Sequence, residues 1–290
     1  TLYLVGSCIG AYNLYRTAKS GVFEGDTEVQ AAPLSEDTHV PATGHRWLES
    51  KAGLMTVLAV VAVLIGGLVE IVPLYLIRSN VPTIASVKPY TPLEVMGRDL
   101  YIREGCVGCH SQMVRPFRSE TERYGEYSKS GEYVYDHPFL WGSKRTGHDL
   151  AREGGPPAAG AKYMRVGKRG NDWHFNHFLN PRQTTPGSNM PAYPWLFEKE
   201  TDVKSLPDKI RAQVSLGVPW PAMNQHEIRD KVETQSQEIA KSLVDAKVYL
   251  PSKPDLQGDA LRNELATKQV VALIAYVQKL GAYREVKKEG

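Results

Sequence analysis

Cys106-Val107-Gly108-Cys109-His110 is where residue type and spacing first suggest chemistry. With 3 cysteines and 8 histidines in 290 residues, a CxxCH is expected by chance on the order of 0.001 times. Two thiols three positions apart on one turn can add across the two vinyl groups of a single haem. The adjacent imidazole then points at the iron and supplies the proximal ligand. Other chemistries fit less well. A zinc site wants four ligands, and Cys8 sits in an apolar run, so histidines would have to complete it. A thioredoxin-like pair wants a βαβ setting, whereas a helical pattern comes before this one. A structural disulfide leaves His110 without a role. Covalent haem c is the reading, and its attachment takes place outside the cytoplasmic membrane.

A haem held this way needs a ligand on its other face. The methionines of the polar part are Met96, Met113, Met164, Met190 and Met223. Met96 comes before the motif, and Met113 follows His110 too closely to reach the opposite face. Met190 sits in Gly187-Ser188-Asn189-Met190-Pro191, a loop with proline on both sides, which suits a rigidly held distal ligand. Met223, in Pro221-Ala222-Met223, is dressed similarly. His174 and His177 would give a bis-His haem instead, and any one methionine could simply be core. Met190 is the expected ligand.

The elements that must position these groups are helical. Residues 92–105 begin after Thr91, a suitable N-cap, and carry Leu93, Met96, Leu100 and Tyr101 on one face. Residues 268–281 form a second amphipathic pattern ended by Gly281. These two are expected to cross and cover one haem edge. Tyr193, Trp195 and Trp141 are expected in the pocket or in the core. Residues 225–247 read as a charged, solvated helix. Turns are marked by Gly154-Gly155-Pro156-Pro157, Asn180-Pro181 and Pro186-Gly187, and strand alternation is weak.

Residues 54–77 carry one charge, Glu70, in 24 residues. As a helix they span about 36 Å, enough to cross a bilayer. Gly66-Gly67 invites a neighbouring helix, and Glu70 wants a partner inside the membrane. Residues 1–14 are also apolar and read as the tail of a second membrane helix. Between the two lies an acidic stretch, Glu24 to Asp37, without Lys or Arg from Lys19 to Arg46. Basic residues flank this stretch more than the far side, so the positive-inside rule puts residues 80–290 outside the cytoplasm. The net charge of +3 gives no sign of nucleic-acid binding. Three cysteines build no disulfide scaffold.

CVGCHSQMVRPFRSETERYGEYS, HPFLWGSKRTGHDLAREGG and WHFNHFLNPRQTTPGSNMPAYPWL, with GGLVEIVP in the membrane helix, together resemble the mono-haem c subunit of cbb3-type cytochrome c oxidases. The resemblance covers residues 45–290. Residues 1–20 resemble the end of the last helix of the catalytic subunit, which implies a fusion. The expected organisation is therefore a catalytic-subunit helix end over 1–20, an acidic linker over 21–50, a transmembrane helix over 51–79 and a haem domain over 80–290. The fold implied is mainly α, a membrane-anchored class I-like cytochrome c domain with long loops.

The resemblance also implies a role and its partners. One covalent haem c is bound by Cys106 and Cys109, with His110 proximal and Met190 distal. It passes electrons from a di-haem c subunit or soluble cytochrome c toward a catalytic subunit. That subunit holds haem b, high-spin haem b and copper, reduces O2 to water and pumps protons. Calcium near the haem b propionates is implied as well, with Ser143 of the 141–147 loop contributing. The location implied is the bacterial inner membrane, with the haem domain in the periplasm and lipid around the anchor. This chain would then hold no catalytic centre of its own. Competing functions are a free-standing membrane-anchored cytochrome c, the haem c subunit of a nitric oxide reductase, and a haem-based gas sensor. The first two need neither Gly66-Gly67 nor Glu70, and the last needs an open iron. The 200–265 stretch matches nothing firmly.

Overall fold

A computed structural model describes residues 2–21, 43–77, 82–142, 144–155 and 169–284. Most of the acidic linker, the Pro156-Pro157 turn, Ser143 and Met164 lie outside these residues. The chain divides into two compact units, residues 1–72 and 73–290.

The N-terminal unit is helical. α1 runs over Leu2–Ser20, α2 over His45–Glu49, and α3 over Ala52–Leu76. Among the described residues, Ala52–Leu74 alone is long and apolar enough to cross a membrane, and none of that stretch is buried within the chain. Its aliphatic side chains stay exposed, as they must if lipid or another protein is to cover them. Pro73 lies in its last turn, where a missing N–H breaks one bond near the helix end.

The second unit is built on α4, Pro92–Arg103, and α12, Gln269–Lys279. Thr91 starts α4 with a full capping box. Its hydroxyl accepts from the Glu94 N–H, and the Glu94 carboxylate accepts from the Thr91 N–H at 2.8 Å. α4 and α12 pack on each other more extensively than any other pair of helices. Gly97 makes this possible, because a Cβ there would lie 1.9 Å from the Ala272 carbonyl oxygen. α12 is buried from Gln269 to Val277, so it is a central core helix rather than an amphipathic cover. Gly281, at φ 78, ends its last turn.

Shorter helices surround this pair. They are α5 (Arg118–Tyr124), α6 (Asn171–Leu179), α7 (Pro181–Thr184), α8 (Trp195–Glu198) and α9 (Leu206–Ser215). α10 (Gln225–Asp245) and α11 (Gly258–Ala266) pack together, and α10 also meets α4, α6 and α12. α10 differs from the solvated helix expected. Ile228, Val232, Ser236, Ala240 and Leu243 form a buried stripe along it. Only three of those five are large and apolar, so the stripe is faint in the sequence. Long connections join the helices, and among the described residues β-structure is limited to isolated bridges.

Candidate functional site

The Cys106 turn follows directly from α4. Gly105 adopts φ 74, a conformation that costs other residues energy, and turns the chain out of the helix. Cys106–Gly108 then form a 3₁₀ turn, and the His110 N–H bonds the Cys106 carbonyl at 2.9 Å. The turn puts both thiols and the imidazole on one short rigid segment. Both thiols are unpaired, Cys109 exposed and Cys106 half-buried. Burial pushes the Cys106 thiol up to about 12, so it does not behave as the low-pKa thiolate of a redox CxxC.

The segment 141–150 clamps His110 from the side. The Gln112 N–H donates to the Trp141 carbonyl at 2.8 Å, the Gly147 N–H to the Cys109 carbonyl at 2.9 Å, and the Leu150 N–H to the Ser111 carbonyl at 2.8 Å. Gly147 lies against the imidazole, and a Cβ there would sit 2.2 Å from the His110 Cε1. Nδ1 of His110 is 2.8 Å from the His148 carbonyl oxygen. A carbonyl only accepts, so Nδ1 carries the proton and Nε2 is left with a bare lone pair. Burial lowers the His110 pKa, which keeps the ring neutral. Asp149 locks the clamp, accepting from the Ser111 hydroxyl at 2.7 Å and from the Met113 and Ala151 N–H groups at 2.9 Å each.

His110 lines a cleft that Cys106 and Met190 also line. Its lining is mainly apolar: Tyr101, Leu150, Phe178, Leu273 and Val277 line it together with His148, Glu153, Trp173, His174 and His177, and His174 stacks on Phe178 at 6.2 Å. Met190 comes from the 185–194 loop, whose Tyr193 N–H bonds the Phe178 carbonyl at 3.0 Å. Met223 lines a different groove, beside Trp220 and Pro89, and Met96 is buried in the core. His174 and His177 share the Met190 cleft, so position alone leaves them as candidates. The donor set fits a covalent haem: the Cys106 thiol, a neutral imidazole with a free nitrogen and the Met190 thioether line one mainly apolar cleft, and the exposed Cys109 lies on the same turn as Cys106.

Two aromatic expectations are corrected. Trp141 stacks on Phe139 at 4.5 Å and remains 37% exposed, and Trp195 is 36% exposed. Neither lines the cleft nor lies in the core. Trp195 Nε1 donates to Glu104 at 2.9 Å, so it braces the end of α4 from outside. The residues that sequence reasoning missed are Gly147 and Asp149, which hold the His110 turn, and His148 and Glu153, which line the cleft. They lie in the HPFLWGSKRTGHDLAREGG stretch, where only similarity marked them, because their roles depend on backbone carbonyls and close approach.

Residues 45–283 match the family described as cytochrome c oxidase, mono-heme subunit/FixO. The chain belongs to this family. A FixO-type subunit is the mono-haem subunit of a cbb3-type oxidase, so electron transfer by a haem c is its work. The match runs across the 200–265 stretch, whose α10 and α11 contribute to the same core as α4 and α12. No curated protein matches the chain.

Proposed function

We propose that Cys106 and Cys109 hold the haem c of this FixO-type subunit, with His110 as proximal and Met190 as distal ligand. The observation that carries the reading is the shared cleft: His110, whose Nε2 is left bare, Cys106 and Met190 all line it. When bound, the haem supplies a one-electron couple. The protein's part is to hold the ligands and set their electronics. His148 fixes the His110 tautomer through its carbonyl, which raises the basicity of Nε2. The apolar lining would exclude water, and a thioether ligand from Met190 would favour the reduced state.

Electrons are then taken from a di-haem c subunit or a soluble cytochrome c and handed to a catalytic subunit, while this chain carries out no O2 chemistry itself. α3 anchors it, and residues 80–290 lie on the periplasmic side, as c-type haem attachment requires. Residues 1–20 are the end of a catalytic-subunit helix. The family match favours this reading over a free-standing carrier or a nitric oxide reductase subunit. The deciding experiment is haem staining on a denaturing gel: wild type stains at the mass of this chain, and Cys106→Ser and Cys109→Ser lose the stain. A stain that survives both substitutions together would end the proposal.

A further inference from the structure

Gln112 stands two residues after His110 and is 2% exposed. A leucine or methionine would fill a similar volume with no polar group to satisfy, and a buried amide is costly unless its bonds are completed. Three anchors meet at this residue. Its N–H donates to the Trp141 carbonyl at 2.8 Å, at the start of the 141–150 clamp. Its carbonyl accepts from the Tyr133 hydroxyl at 2.8 Å, at the end of the 3₁₀ turn Ser130–Tyr133. Its Oε1 accepts from the Tyr276 hydroxyl of α12 at 3.1 Å.

The third anchor joins residues 164 positions apart. Tyr276 is wholly buried, and its neighbours on α12, Leu273 and Val277, line the cleft. One helix thus supplies part of the cleft lining and, beside it, a bond to the segment that carries His110. Ring packing holds the donor in place, with Tyr101 at 5.4 Å and Tyr90 at 5.7 Å from the Tyr276 ring. Burial raises the pKa of Tyr276 and of Tyr133 above the ordinary phenol value, so both keep the proton that they donate.

We propose that Tyr276 and Tyr133 are positioning residues for electron transfer, whose hydroxyls act through Gln112 to hold the His110 segment against α12, and so set the tilt of the proximal imidazole and the closure of the cleft. Without the Tyr276 hydroxyl, Gln112 Oε1 is buried with no donor. The amide must then turn to another partner or draw in water, and residues 110–113 move with it relative to α12. A cleft that admits water favours the more highly charged ferric iron, so the reduction potential falls. This tie differs from the clamp: the His148 carbonyl fixes the tautomer of His110, whereas Tyr276 fixes how far the His110 segment stands from the cleft lining.

The inference rests on the haem reading above, and its test separates the two. The full chain is produced with haem attached, purified in detergent and stained for haem. Its midpoint is read by redox titration, and its ferric electron paramagnetic resonance spectrum reports the orientation of the axial ligands. Tyr276→Phe and Tyr133→Phe each remove one oxygen and keep the ring. Both are expected to retain the stain, lower the midpoint and change the anisotropy of the ferric signal. Gln112→Met removes the amide at similar volume and is expected to do the same. Adding Tyr276→Phe to Gln112→Met should then shift nothing further, because the bond is already gone; a further shift overturns action through Gln112. If Gln112→Met loses its haem, the two phenylalanine variants decide alone. A wild-type midpoint and ferric signal in stained Tyr276→Phe and Tyr133→Phe, even with lower thermal stability, overturns the positioning role and leaves the haem reading standing. A wild-type chain that carries no stain overturns both.

Discussion

The Nδ1–H of His110 donates to the backbone carbonyl of His148 over 2.8 Å, and the two imidazoles meet edge to face at 5.4 Å. One residue thus fixes the tautomer, the tilt and the surroundings of another that lies 38 positions earlier. Because the acceptor is a backbone atom, its geometry depends on how closely the 141–150 segment can lie against the CxxCH turn.

Gly147 sets that distance, so Gly147→Ala is expected to disturb the haem while leaving it covalently attached. The new methyl would meet the His110 ring at 2.2 Å, well inside any van der Waals contact. Its backbone has no positive φ, so strain at residue 147 itself is not the cause. The imidazole must move away from the His148 carbonyl. The measurement is the optical spectrum and midpoint of haem c: a wild-type spectrum and midpoint in Gly147→Ala would show that this close approach does not set ligation.

Met190→Ala is expected to keep the haem attached and lower its reduction potential, because water or an imidazole in place of the thioether favours Fe(III). Met223→Ala, in a separate groove, is expected to leave the potential unchanged. Redox titration of both variants decides, and the opposite pattern would move the distal ligand to Met223. An unchanged potential in both would point to His174 or His177.

Gly97→Ala is expected to destabilise the second unit without touching the haem ligands. Its Cβ would lie 1.9 Å from the Ala272 carbonyl oxygen and 2.7 Å from the Tyr276 Cβ, so α4 and α12 must separate along their main contact. Overpacking of this kind costs about 1–3 kcal/mol, and a backbone obstruction puts the cost at the upper end. Gly53→Ala, where nothing lies within 4 Å, is the control. Thermal unfolding followed by circular dichroism should show a lower Tm for Gly97→Ala alone.

The α4–α12 pair was legible in the sequence because both helices carry strong local signals: the Thr91 cap and the apolar face of α4, and the run from Val270 to Val277 closed by Gly281. The CxxCH motif was legible for the same reason, since its chemistry is written in five adjacent residues. The clamp was not, because a carbonyl at residue 148 looks like every other carbonyl until the fold brings it to His110. The buried stripe of α10 was hidden by Ser236 and Ala240, which hold core positions without apolar bulk. Met190 and Met223 share a proline-rich setting, and only the fold puts them in different grooves.

Arg152 and Glu132 test how the loops around the clamp are held. Arg152 is 2% exposed and grips Glu132 with two nitrogens, at 2.7 and 3.1 Å. Removing one partner leaves a buried charge uncompensated, which costs about 3–5 kcal/mol, whereas replacing both with apolar residues of similar size is often close to neutral. Arg152→Met is therefore expected to unfold at markedly lower denaturant than wild type, and Arg152→Met with Glu132→Leu to recover most of the loss. Equal losses in the single and double variants would show that the pair itself, not the stranded charge, is what stabilises.

Gly66 and Glu70 decide whether α3 is more than an anchor. A Cβ built at Gly66 or Gly67 meets nothing within 4 Å among the described residues, so no contact among those residues explains two adjacent glycines in a membrane helix. Lipid alone would accept any apolar side chain there, because it sees only hydrophobicity. A helix of the catalytic subunit would not, since small residues let two backbones approach closely. Gly66→Leu is then expected to weaken assembly by about 1–3 kcal/mol, the cost of forcing packed helices apart. The cleft and its ligands lie in the other unit, so haem c attachment should be unaffected. The measurement is the ratio of haem b to haem c in complexes purified through the C-terminus of this chain, together with turnover on a cytochrome c donor, because a covalent link at residues 1–20 would hide dissociation. A lowered haem ratio or lowered turnover with full haem c staining shows that the helix packs on a partner, while wild-type values for both would make it a plain anchor.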